Sequence, residues 1–235
     1  MISASAFRAP VAAIRRSDVP GVSTDGERLY TENLVPGVSV YGERLVAQGG
    51  VEYRAWNPRR SKLAALLRKG VGTFPFGRRT DVLYLGAAQG TTVSHLSDIC
   101  VDGTVYAVEI SRRAFQKLLA LAERRHNVMP ILGDADAPAA YERLLAPVDA
   151  LYQDVAQRDQ VGIFAKNLRF LRPGGFGLLM VKARSTDVAA EPRDVYAAAR
   201  RALEAAGLDV LEAVPLDPFE ADHAAFLVEK ARADG

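Results

Sequence analysis

The chain has 235 residues, of which 49% are hydrophobic and 25% charged, and a net charge of +2. That length holds one large domain, or one main domain with a small appendage, and the composition is that of a packed globular protein rather than a disordered or fibrous one. No apolar run approaches a membrane span, and the single cysteine, Cys100, excludes an intrachain disulfide framework and a multi-thiolate zinc site, so no metal is expected.

The net charge hides an asymmetry. Residues 1–80 carry 13 Lys/Arg against 6 Asp/Glu, whereas residues 81–235 carry 17 against 22. The basic excess peaks over residues 53–80, which hold eight Lys/Arg and no acid. Such a one-sided field suits a polyanion, RNA or DNA above all, although a solvated helix face accounts for it equally well.

In chain order, residues 1–20 read as an extended lead-in, because Arg8 and Pro10 interrupt the weak apolar patch that a signal peptide would need; a cytoplasmic location is the simple expectation. Residues 28–56 alternate as short half-buried strands, notably 38-VSVYGERLV-46 and 51-VEYRAW-56, and predict a small antiparallel region. Asn57-Pro58 resembles an N-cap followed by proline at the first helical position, with Leu63, Leu66 and Leu67 as the apolar face and Gly70 as the stop. From Asp81 the pattern alternates. Strands are predicted over 81–86, 104–109, 127–132, 148–154 and 176–183, with helices over 91–100, 111–125, 138–145, 158–170 and 190–206. That alternation means a parallel sheet with helices on both faces. Two successive strands, 208–216 and 224–230, then close an antiparallel hairpin. The domains expected are a β-region over 1–57 and an α/β domain over 58–235 with a leading basic helix.

The stretch 82-VLYLGAAQGTTVSHLSDI-99 ends a strand on Gly86, Gly90 and a helix start at Thr91-Thr92. Glycine lets backbone approach a ligand, and the free N–H groups of a helix start point toward it. Glu109, 23 residues beyond Gly86, closes the next strand where an acid accepts hydrogen bonds from a ribose diol, and Asp134 follows the third strand beside an adenine position. A dehydrogenase is compatible with these residues, but the absent middle glycine and the terminal hairpin fit S-adenosylmethionine better than a dinucleotide.

The segments Tyr84–His95, Val105–Glu109, Asp154–Gln157 and Asp222–Ala224, with Trp56–Ala64 ahead of them, resemble fibrillarin in its archaeal form, over about Val40 to Lys230. The resemblance implies a class I methyltransferase fold, Rossmann-like, with a mostly parallel sheet, a terminal antiparallel hairpin and a preceding antiparallel β-region. It also implies S-adenosylmethionine-dependent 2'-O-ribose methylation of rRNA and tRNA directed by box C/D guide RNA. The partners it implies are the guide and substrate RNAs, a Nop56/58-type scaffold protein and a kink-turn-binding ribosomal-protein-like subunit. An antiparallel last strand starts at the carboxyl edge of its neighbours, which brings His223 to Lys182, and by resemblance Lys62, Asp154, Lys182 and His223 form a catalytic tetrad. By charge, Asp154 positions Lys182, Lys182 meets the 2'-hydroxyl, and His223 and Lys62 orient the ribose and adjacent phosphate. Gly86, Ala87 and Gly90 would border the methionine portion, Thr91 and Thr92 its carboxylate, Glu109 and Ile110 the ribose and adenine, Asp134 and Ala135 the adenine edge, and Asp154, Val155, Ala156 and Gln157 the methionine end. Arg54, Arg59, Arg60 and Lys62 would face RNA. His95 reads as helix packing. Gln89, Gln153 and Arg158 depart from the usual Ser, Ala and Pro of the family. A non-catalytic RNA-binding assembly subunit is the competing reading, which the intact tetrad opposes.

Overall fold

The computed structural model describes residues 13–187 and 189–232. The N-terminal part is an antiparallel sheet of β1 (Arg15–Arg16), β2 (Val22–Thr24), β3 (Leu29–Glu32), β4 (Leu45–Gln48) and β5 (Val51–Trp56), in the order β1-β2-β3-β5-β4. The lead-in expected over 1–20 lies outside the described residues up to position 12; beyond it, β1 and the β2 strand just past it are paired strands instead. The predicted strand 38–46 is a correction too: pairing starts only at Leu45. Glu43 accepts backbone N–H bonds from Val40 at 2.9 Å and Tyr41 at 2.8 Å, and this curls the chain into a turn.

Helix α1 (Lys62–Lys69) begins four residues later than Asn57-Pro58 suggested, because Ser61 is the N-cap and its hydroxyl accepts from Ala64 N. It ends at Gly70 as expected. Then follow β6 (Val82–Leu85), α2 (Thr91–Ile99), β7 (Val105–Glu109), α3 (Arg112–Ala122), β8 (Val128–Leu132), β9 (Val148–Gln153), α4 (Gln160–Asn167), β10 (Leu171–Lys182), the short turn α5 (Ala183–Thr186), α6 (Pro192–Ala205), β11 (Leu208–Pro215) and β12 (His223–Lys230). The helix expected over 138–145 is two 3-10 turns, Pro138–Ala140 and Glu142–Leu144, because Pro138 and Pro147 leave too short a run for α-helix.

The second sheet runs β11-β12-β10-β9-β6-β7-β8, and β12 is antiparallel to both of its neighbours. This is the class I methyltransferase arrangement. Period-two alternation splits its core between two faces. Along β6, Val82 and Tyr84 pack toward the N-terminal sheet and α2, and Leu83 and Leu85 pack toward α4 and α6. Each such fully buried aliphatic side chain contributes roughly 1.5–3 kcal/mol.

A buried polar cluster joins the two sheets. Arg54 on β5 donates to Asp98 on α2 at 2.7 Å and pairs with Glu43 at 2.6 Å, and Arg125 donates to the other Asp98 oxygen at 2.6 Å. Thr31 donates to Asp98 at 2.7 Å, so its oxygen accepts from His95 Nδ1 at 2.8 Å. Tyr41, its hydroxyl pushed up to about 12 chiefly by burial, donates to His95 Nε2 at 2.7 Å. His95 is thereby a neutral Nδ1–H tautomer, stacked on Trp56 with ring centroids 4.7 Å apart, which agrees with its reading as a packing residue.

Candidate active site

The carboxyl ends of β6, β7, β9 and β10 and the start of β12 converge on a cavity of about 420 Å³ and, beside it, a smaller cleft of about 30 Å³. The loop after β6 is what lets them converge. Gly86 has φ +81°, and a Cβ there would lie 2.4 Å from the Asp154 carbonyl oxygen, so only glycine lets the ends of β6 and β9 close on each other. Glu109, 7% exposed, accepts from Ala88 N at 2.7 Å and from Ser111 N at 2.7 Å, which pins the loop to the end of β7. Both of its oxygens retain a second lone pair for a ligand.

The larger cavity is lined by Lys62, Gly86, Ala87, Thr91, Thr92, Asp154, Val155, Ala156, Lys182 and His223. Glu109, Ile110, Asp134, Ala135 and Gln157 line the smaller cleft, which shares Gly86 and Val155 with the larger. Gln157 reaches Asp134 at 3.4 Å. Gly90 lines neither space; it caps α2 with φ +88°, and a Cβ there would lie 2.5 Å from Leu121 Cδ2, so its smallness serves packing against α3.

Within the cavity, Lys62 Nζ lies 2.9 Å from each carboxylate oxygen of Asp154. Asp154 thus holds Lys62 rather than Lys182, because α1 enters the site with its first residue aimed at the end of β9. Ser61 steers that entry: its oxygen also accepts from Thr92 Oγ1 at 3.0 Å, tying α1 to the start of α2. Lys182 stands directly opposite His223 across the β10–β12 ladder. The Lys182 side chain is exposed, and its ammonium has no hydrogen-bond partner among the described residues. Burial, aided by the charge of Lys62, lowers the pKa of His223 below its ordinary 6.5. Its Nδ1 donates to the Ala221 carbonyl at 2.7 Å, which leaves Nε2 as the acceptor.

Arg54 does not face RNA. Its side chain is fully buried and committed to Glu43, Asp98 and Ser94, since β5 turns this position toward α2. Arg59 and Arg60 are exposed, and Arg60 lines the cavity.

Sequence reasoning missed Gln160. Its buried amide accepts from Lys182 N at 2.8 Å and donates to Lys182 O at 3.1 Å, while Gln153 Nε2 donates to the Gln160 carbonyl at 2.6 Å. The departure at Gln153 thus has a structural partner, and Gln89 has one in Lys117, which donates to it at 3.0 Å. A single sequence offers no signal for a buried glutamine clasp. Ser61 did carry one, an N-cap residue just before an apolar helix face, which Asn57 masked.

The family model described as Fibrillarin matches residues 17–232. The fibrillarin-like rRNA/tRNA 2'-O-methyltransferase of Methanopyrus kandleri is 51% identical over 201 residues, which span 85% of this chain and 87% of that protein. Aeropyrum pernix fibrillarin, solved in complex with natively bound S-adenosyl-L-methionine, superimposes with a TM-score of 0.85 at 46% identity, covering 92% of this chain and 97% of that one. The fibrillarin of a fibrillarin/Nop5p complex superimposes with a TM-score of 0.83 at 40% identity, covering 91% and 98%. With the family match spanning nearly the whole chain and a relative at this identity, the chain belongs to the fibrillarin family.

Proposed function

We propose that this chain transfers the methyl group of S-adenosylmethionine to ribose 2'-hydroxyls of rRNA and tRNA, as the catalytic subunit of a box C/D ribonucleoprotein. The observation that carries the reading is the Lys62–Asp154 pair, at 2.9 Å, sharing one cavity with Lys182 and His223. The names of the relatives agree with it. A Nop56/58-type scaffold is the partner that the Nop5p complex of a relative supports. Guide RNA and a kink-turn-binding subunit complete the proposed particle.

The site suits the cofactor. Helix α2 starts at Gly90 with no side-chain cap, so the first-turn N–H donors beside Thr91 and Thr92 are left for an anionic group such as the methionine carboxylate. The Glu109 lone pairs suit the ribose diol. When bound, the cofactor supplies a methyl group activated on a sulfonium.

The chain's own residues handle the acceptor. Lys182 holds the 2'-hydroxyl oxygen through its ammonium, and neutral His223 takes the hydroxyl proton at Nε2. Asp154 keeps Lys62 at the cavity wall, where its charge meets the neighbouring phosphate. Sequence choice falls to base pairing with the guide, so the protein needs backbone contacts more than base readout.

The test is reconstitution with guide RNA, scaffold and labelled S-adenosylmethionine, comparing wild type with Lys182→Ala. Guide-specified labelling by wild type and its loss in the variant are expected. An inert wild type would overturn the activity, and a fully active variant the role of Lys182.

A further inference from the structure

Between the N-terminal sheet and α1 lies a cleft of about 530 Å³ that the chemistry above does not use. Arg28, Arg44, Arg60, Arg68, Tyr41 and Trp56 are among its walls. Arg60 lines this cleft and the catalytic cavity alike, so the two adjoin at one guanidinium. That guanidinium stands over the Tyr41 ring, 5.6 Å from its centroid, which fixes it at the junction.

The charge of the cleft is positive after its internal pairs are counted. Of its two acids, Glu43 is buried against Arg54 and Glu27 lies 3.4 Å from Arg28. Arg44, Arg60 and Arg68 are exposed and enter no ion pair among the described residues. A concave surface with several uncompensated guanidiniums selects phosphate, which accepts bidentate hydrogen bonds from that planar fork. The aromatic faces offer bases little: Trp56 is 1% exposed and stacked on His95, and the half-buried Tyr41 ring has the Arg60 guanidinium over it. Such a wall grips a phosphate backbone and leaves bases unread.

A ribose that is methylated inside an RNA carries a phosphodiester on each side, so the strand must leave the catalytic cavity in two directions. We infer that one arm of the strand leaves past Arg60 and that this cleft holds its phosphates, with Arg44 and Arg68 as ligands and Arg28 at the rim. The inference rests on the reading of the cavity as an RNA-methylating site and adds the path of the RNA to it.

The experiment uses the assembled particle with thiouridine-substituted RNA, mapping photo-crosslinked peptides, together with Arg44→Glu and Arg68→Glu. Crosslinks to peptides around Arg44 and Arg68 are expected. Either reversal should raise KM for RNA roughly tenfold, the worth of one charge-assisted hydrogen bond, and flatten the log–log salt dependence of RNA affinity by about 0.7–0.9 per lost phosphate contact. Arg193→Glu, which reverses a charge 86% exposed on α6, should leave that KM unchanged. Crosslinks confined to the catalytic cavity, or wild-type KM in both reversals, would each overturn the proposal. RNA affinity and crosslinks are read without methyl transfer, so an inert but RNA-gripping particle would sink the activity and leave the cleft standing.

Discussion

Lys62 Nζ is held equally by both oxygens of Asp154, at 2.9 Å each, although the two residues stand 92 positions apart. The side chains are 20% and 23% exposed, so solvent screens the pair and its share of stability is under about 1 kcal/mol. Its value lies in position. Lys62→Met should lower kcat on the order of a hundredfold, the cost of letting the bound ribose sit about 1 Å out of place, while the melting temperature stays near that of wild type. Single-turnover methylation beside a thermal melt measures both. A variant with full kcat would remove Lys62 from the chemistry.

Gln160 clasps both backbone polar groups of Lys182 from within the core. Gln160→Ala leaves those groups and the space behind them unsatisfied, and we expect a loss of about 1–3 kcal/mol in urea denaturation. A structural role alone would lower stability and leave kcat of the folded fraction intact. Positioning predicts more: kcat falls in the wild-type background and falls no further in Lys182→Ala, because the two act on one group. Additive losses would refute the coupling.

Arg54 serves stability. Arg54→Ala leaves Glu43 a buried charge without its cation and Asp98 with Arg125 alone, and the expected cost is about 3–5 kcal/mol, seen as a much lower urea midpoint. An unchanged midpoint combined with weaker RNA binding would return Arg54 to the RNA-facing set.

His95 makes stability depend on pH. Burial, with the charges of Arg54 and Arg125 beside it, drives its pKa well below the ordinary 6.5. The unfolded chain therefore takes up a proton below pH 6.5 that the folded chain refuses, and stability, full above that value, falls with pH until the folded pKa is reached. The slope attributable to His95 approaches about 1.4 kcal/mol per pH unit. His223, lowered in the same direction, adds to it. Urea midpoints measured across the acidic range should decline more gently in His95→Gln than in wild type. Parallel curves would show that His95 does not carry the effect.

The sequence alone determined the alternation of strands and helices from Asp81 onward, the terminal hairpin and the glycine junction, because periodicity, glycine and helix starts are local properties. It also brought Glu109, Asp134, Asp154 and Lys182 to one sheet edge, since parallel strands end on the same side. Tertiary structure decided what those ends touch. The antiparallel last strand had already brought His223 to Lys182, and the register of β12 against β10 sets the two directly opposite, whereas the approach of α1, which gave Asp154 to Lys62, was not foreseeable. Arg54 is the clearest case: within a basic stretch its charge suggested RNA, but strand pleat pointed it inward, and the acids that receive it come from a turn and from α2. A side chain's partner across such distances is fixed by packing and pairing register, which no short window of sequence encodes.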